Sequence, residues 1–225
     1  MSMPPVNGAF VVLAKDIRLE WRTRSAVNAL LMFVLSAVFL IVYAIGGSTL
    51  DEVTTSALIW TVVIFSAAIG MSRSFIVEEE QQTVTLLRLH AAPASVYLGK
   101  LLFNFALLLG VNLLAVMIFV FLLNLDPGSP GLMATTVLLG SLALAGATTL
   151  LSAIVSKTRG GAAVLPILLF PLLLPLLGAA VRATTMAFEG DPLWSLARNH
   201  LITLVAFAGV TITASLLLFD QVWND

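Results

Sequence analysis

The sequence predicts an all-α membrane protein, with six transmembrane helices preceded by an amphipathic helix lying in the interface. Three observations carry that expectation. Hydrophobic residues make up 60% of the 225 residues and charged residues 10%, with a mean hydropathy of +1.06, whereas soluble domains hold about 45–50% apolar and about 25% charged residues. The apolar residues gather into six runs, each near the roughly 20 residues a helix needs to cross the hydrocarbon core. The Lys and Arg residues between those runs alternate in density. Such runs are helical because a helix satisfies its own backbone in lipid; a β-barrel would need shorter, alternating segments.

Taken in order, residues 8–24 form the interfacial helix. Phe10, Leu13, Ala14, Ile17 and Trp21 share one helical face, and Lys15, Arg18 and Arg22 lie on a flank, the pattern of a helix bedded among headgroups. The spans are expected at residues 27–45, 57–77, 101–123, 132–155, 162–180 and 201–219, in a single domain covering 1–225. Span four is rich in small residues (Gly140, Ser141, Ala143, Ala145, Gly146, Ala147, Ser152 and Ala153), which let helix backbones approach closely. Span five carries Pro166, Pro171 and Pro175. Each removes a helical hydrogen bond and crowds the carbonyl four residues earlier, so a kink is expected, whether functional or set by packing. Asn28, Asn104 and Asn112 should find partners across helices or lie near the headgroups.

Basic residues give the orientation. Lys15, Arg18, Arg22, Arg24, Arg73, Arg88, Lys100, Lys157 and Arg159 fall on one side, and only Arg182 and Arg198 on the other. The positive-inside rule then places both termini in the cytoplasm. No cleavable signal is expected, because the first apolar run is too long and lies behind an amphipathic stretch.

Several functions are excluded. Without cysteine there is no disulfide, thiolate metal site or Cys-x-x-Cys-His haem attachment. Gly99-Lys100 is not a phosphate-binding loop: Ala94 stands where the first Gly is required, and a span follows. No nucleophile–base pair, metal-ligand spacing or nucleic-acid patch is present, so the chain is expected to be neither an enzyme nor a holder of metal or cofactor. No charged residue sits in the middle of a span, apart from Arg73 in span two if that span runs to Val77, whereas ion-coupled carriers usually place charges there. His200, at the outer start of span six, is read as a capping or interfacial residue rather than a haem ligand, and His90 lies in a cytoplasmic connection.

That connection, between spans two and three, is long. Glu78, Glu79 and Glu80 open a segment in which Val84 and Leu87 share a face, Pro93 forces a break, and Ser95 is placed to cap the third span. A short charged helix with an apolar ridge suits a groove on a soluble partner. The order Phe75…Glu78-x-Glu80…Thr83…Leu86-Leu87-Arg88…Pro93…Tyr97…Lys100 resembles the cytoplasmic signature of type-2 ABC export permeases, with Gln82 where many relatives have Gly. Arg159-Gly160-Gly161 followed by Leu165-Pro166…Pro171…Pro175-Leu176-Leu177-Gly178 is similar to the fifth span of the CcmB family, the permease subunits of the cytochrome c maturation (haem exporter) ABC complex. The short opening Pro4-Pro5…Gly8-Ala9-Phe10 fits the same family.

The resemblance implies the type-2 ABC exporter permease fold in a bacterial inner membrane. Residues 78–96 would be the coupling segment, with Glu78, Glu80, Thr83, Leu87, Arg88 and Pro93 docking on the ATPase subunit. It implies two ATP-binding subunits carrying ATP and Mg, a second copy of this chain, a haem-handling membrane subunit, and a small single-span subunit. ATP hydrolysis in the partner would drive export of haem or release of a haem-loaded periplasmic chaperone. Two alternatives are a permease of the same fold exporting a drug, lipid or polysaccharide, and an ATP-independent membrane scaffold or carrier.

Overall fold

A computed structural model describes residues 5–71, 92–156, 161–190 and 194–224. Within them the chain forms seven helices and no strand: α1 (Pro5–Thr23), α2 (Ser25–Ile45), α3 (Glu52–Met71), α4 (Pro93–Leu122), α5 (Pro130–Ser156), α6 (Gly161–Glu189) and α7 (Arg198–Asn224). Helices α2 to α7 are each long and apolar enough to cross a membrane.

Local chemistry explains most boundaries. Between α1 and α2 the chain turns at Arg24, whose backbone is left-handed (φ 50, ψ 22). Arg24 offers no side-chain cap to α2; instead Glu20 Oε1 accepts a hydrogen bond from the Val27 N–H at 2.9 Å, placing a carboxylate at the positive end of the helix. Gly46, also left-handed, ends α2 and returns its N–H to the Val42 carbonyl, as glycine past a helix end commonly does.

Helix α3 begins five residues before the expected span, because Asp51 caps it. Thr54 donates its N–H to Asp51 Oδ2 at 3.0 Å and its hydroxyl to Oδ1 at 2.6 Å. Those bonds hold the exposed Asp51 carboxyl below the usual carboxylate range, the Thr54 hydroxyl contributing most.

Helix α4 also starts early, at Pro93 rather than at 101. Ala92 is the N-cap, in extended backbone, and Pro93 follows inside the first turn, where its missing N–H costs nothing. Ser95 is therefore not the cap: it lies inside α4 and is buried. At about 1.5 Å per residue, the 30 residues of α4 span about 45 Å, more than the roughly 30 Å hydrocarbon core. A helix of that length tilts in the bilayer or extends beyond the hydrocarbon.

Helices α6 and α7 likewise outrun their expected spans. Helix α6 runs on from Val181 to Glu189, beyond the expected end of its span at 180, and α7 opens at Arg198. The described part of α6 continues through Pro171 and Pro175, both on its exposed side. The N–H groups that these two prolines lack are therefore missing from the exposed side of the helix.

The bundle is built around α5. Of the most apolar window of α5, 67% is buried, against 17% for α2 and α7. The small residues of α5 explain why: Gly140, Ser141, Ala143, Ala145, Gly146, Ala147, Ser152 and Ala153 are all buried, and α4, α6 and α7 pack closely around them. A Cβ at Gly140 would overlap the six-membered ring of Trp60, which reaches in from α3. The Trp60 Nε1–H donates to Thr184 Oγ1 of α6 at 2.9 Å, joining three helices through one side chain. The span-four pattern thus serves packing.

Candidate functional site

The end of the bundle where α1 meets α4 is built differently from the rest. Two faces of α1 differ. Phe10, Ile17 and Trp21 are exposed, as an interfacial helix requires. Gly8 and Ala9, then Val12 and Asp16 at further spacings of three and four, are buried, and this face lies on α4. A Cβ at Gly99 would come within 2.6 Å of Val12 Cβ and 2.8 Å of the Ala9 carbonyl oxygen, so only glycine allows the approach. A Cβ at Gly8 would lie 2.9 Å from Ser95 Cβ.

That close approach brings two opposite charges together. Lys100 Nζ of α4 lies 3.2 Å from Asp16 Oδ1 and 3.1 Å from Oδ2, with both side chains 5% exposed. Lys15 Nζ reaches the same carboxylate at 3.2 Å. Burying one charge alone is costly, and pairing with good geometry offsets the loss of water. Asp16 and Lys100 therefore lock the interfacial helix to the start of α4. Lys100 was expected as one of the charges setting topology and as the end of the cytoplasmic signature, and neither reading pointed to Asp16 as its partner. The signal that existed was the second α1 face of small residues ending in Asp16.

Further along, α4 carries two buried amides. Asn104 Nδ2 donates to Thr149 Oγ1 of α5 at 2.8 Å, and the Thr149 hydroxyl passes its hydrogen to the Ala145 carbonyl at 2.6 Å. Asn112 Nδ2 donates to Ser141 Oγ at 2.8 Å. Both asparagines find partners across helices, as expected. Asn28 is instead exposed, on α2 near the α1 turn.

Of the residues proposed to dock an ATPase, Pro93 sits at the start of α4, seven residues before Lys100. Glu78, Glu80, Thr83, Leu87 and Arg88 lie outside the described residues, as do His90 and the side chain of Pro166. Pro171 and Pro175 are on α6, apart from the α1–α4 contact. His200 is partly buried near the start of α7. At the opposite end from Pro93, the Ser129 N–H bonds the Ala187 carbonyl at 2.9 Å and Trp194 packs on Gly131.

Six apolar helices, an interfacial helix tied to one end by a buried ion pair, and buried polar side chains that bond between helices define a multi-pass α-helical membrane protein. The family model described as CcmB protein matches residues 7–219, and the chain belongs to that family. It is accordingly a non-catalytic membrane permease component of the cytochrome c maturation, or haem exporter, ABC system. No curated protein matches the chain.

Proposed function

We propose that this chain is the subunit that converts ATP hydrolysis in a partner into a conformational change serving cytochrome c maturation. The observation that carries this reading is the family match over residues 7–219. The α1–α4 lock supports it: residues 78–96, the proposed coupling segment, rejoin the described chain at Ala92 and Pro93, seven residues from Lys100. A push delivered there would be passed to α1 as well as to α4, because the two helices are held rigidly together.

Two ATP-binding subunits would dock through Glu78, Glu80, Thr83, Leu87, Arg88 and Pro93 on two copies of this chain. ATP and Mg would be held by those partners, and haem by a separate membrane subunit with a small single-span companion. The complex would sit in a bacterial inner membrane with both termini of this chain cytoplasmic, the side favoured by nine of eleven basic residues. The outcome would be export of haem, or release of a haem-loaded periplasmic chaperone. Pro166, Pro171 and Pro175 would let α6 bend during the cycle.

The test is a deletion strain assayed for haem-stained c-type cytochromes. Loss, with recovery on return of the gene, is expected. Normal maturation would overturn the reading and favour a permease for a drug, lipid or polysaccharide.

A further inference from the structure

Where α1 turns into α2, three helices leave a groove of about 470 Å³. Val27 and Leu31 of α2 and Phe103 and Leu107 of α4 form its apolar floor, while Trp21 and Arg24 stand at its mouth. Glu20 also lines it, but its carboxylate is engaged by the Val27 N–H at 2.9 Å. Arg24 differs. Its guanidinium forms no ion pair or hydrogen bond with any carboxylate among the described residues, and the left-handed backbone at this residue (φ 50) holds it at the turn beside the groove. Asn28, exposed one helical turn on, lines the same groove with its amide.

An apolar trough that opens beside a cation engaged by no described carboxylate matches an amphiphile with a hydrocarbon chain and an anionic head. The level is right as well. The groove lies at the junction of an interfacial helix with a span, where headgroup meets acyl chain. Arg18 and Arg22 on the exposed side of α1 add positive charge nearby, which draws anionic lipid. We propose that this groove is a specific site for an anionic phospholipid of the surrounding leaflet: one acyl chain lies along Val27, Leu31, Phe103 and Leu107, and the phosphate is held by Arg24 and Asn28. The lipid would wedge α1 against α2 and α4, steadying the helix that the Asp16–Lys100 pair ties down.

Trp21, 76% exposed at the mouth, is a built-in reporter. The full chain is reconstituted in phosphatidylcholine vesicles, and acyl-brominated phosphatidylglycerol or acyl-brominated phosphatidylcholine is titrated in. Tryptophan quenching by the glycerol lipid is expected to saturate at a several-fold lower mole fraction than quenching by the choline lipid. Trp21→Phe should abolish that early component. Arg24→Gln should bring the two curves together, and Ala106→Phe, which fills the groove, should remove the early component while helical content and elution volume stay as in the wild type. Coincident curves in the wild type, or selectivity that survives Arg24→Gln, would overturn the proposal. The wild-type comparison and Trp21→Phe decide the matter even if a groove variant misfolds. In the intact complex extracted with its lipid, native mass spectrometry should show bound phosphatidylglycerol that Arg24→Gln reduces; its absence from the wild-type complex would overturn the assignment.

Discussion

A single carboxylate, Asp16, holds the interfacial helix in place, and its removal should be felt well beyond its neighbours. Because Asp16 and Lys100 are 5% exposed, breaking the pair from one side should cost about 3–5 kcal/mol. Asp16→Ala and Lys100→Met should each lower the thermal unfolding midpoint in detergent, and the double variant should lose clearly less than the sum, since both remove one interaction. Additive losses would show that the pair contributes little. Asp51 gives a pH-dependent counterpart at the opposite end of the bundle. Its carboxyl is held below the usual range by Thr54, so the ionised form favours the folded helix. The stabilisation is present above about pH 4, the ordinary carboxylate value, and is lost as pH falls through the lower folded value. The wild type should therefore outlast Asp51→Ala at neutral pH by a margin that is flat down to about pH 4 and shrinks below it. A margin that grows on acidification would contradict the cap.

Between helices, close backbone approach is what the glycines and small residues supply. The absence of cysteine makes the α1–α4 contact directly testable. Gly8→Cys with Ser95→Cys should form a disulfide under mild oxidation, because the Cβ positions lie 2.9 Å apart and a small outward shift reaches the roughly 3.5–4.5 Å a disulfide prefers. Failure to cross-link would mean that α1 does not lie on α4. The α3–α5–α6 contact turns on Gly140. Gly140→Ala must displace the Trp60 indole and disturb its bond to Thr184, at a cost of about 1–3 kcal/mol typical of overpacking. A red-shifted Trp60 emission with a lowered unfolding midpoint is the expected signature. The amide bonds of Asn104 and Asn112 should matter less individually, because hydrogen bonds between membrane helices average about 0.6 kcal/mol.

For the molecule as a whole, the proposed function requires that work be received at one end of the bundle. If residues 78–96 form the coupling segment, Leu87→Ala or Glu80→Lys should reduce co-purification of an ATP-binding subunit several-fold while leaving this chain in the membrane. Wild-type stoichiometry would refute the docking assignment. The same segment should be labelled from the cytoplasm after single cysteines are introduced at Glu80 or Thr83.

The number of spans was legible from composition and run length, since each apolar run must be buried in lipid whatever it packs against. Family membership was legible in the motifs of the second connection and of span five. Helix ends were not, because Asp51 and Pro93 extend helices through polar residues that hydropathy discounts. Nor was the partnership of Asp16 with Lys100, 84 residues away. In sequence each is an ordinary boundary charge, and only the close approach permitted by Gly8 and Gly99 makes them a buried pair. The sequence by itself determined how the chain partitions between water and lipid, because transfer energy is a property of each segment. Which helix lies at the centre, which face of α1 turns inward, and where an arginine overlooks an apolar groove were decided by tertiary packing, because those depend on neighbours that no single segment encodes.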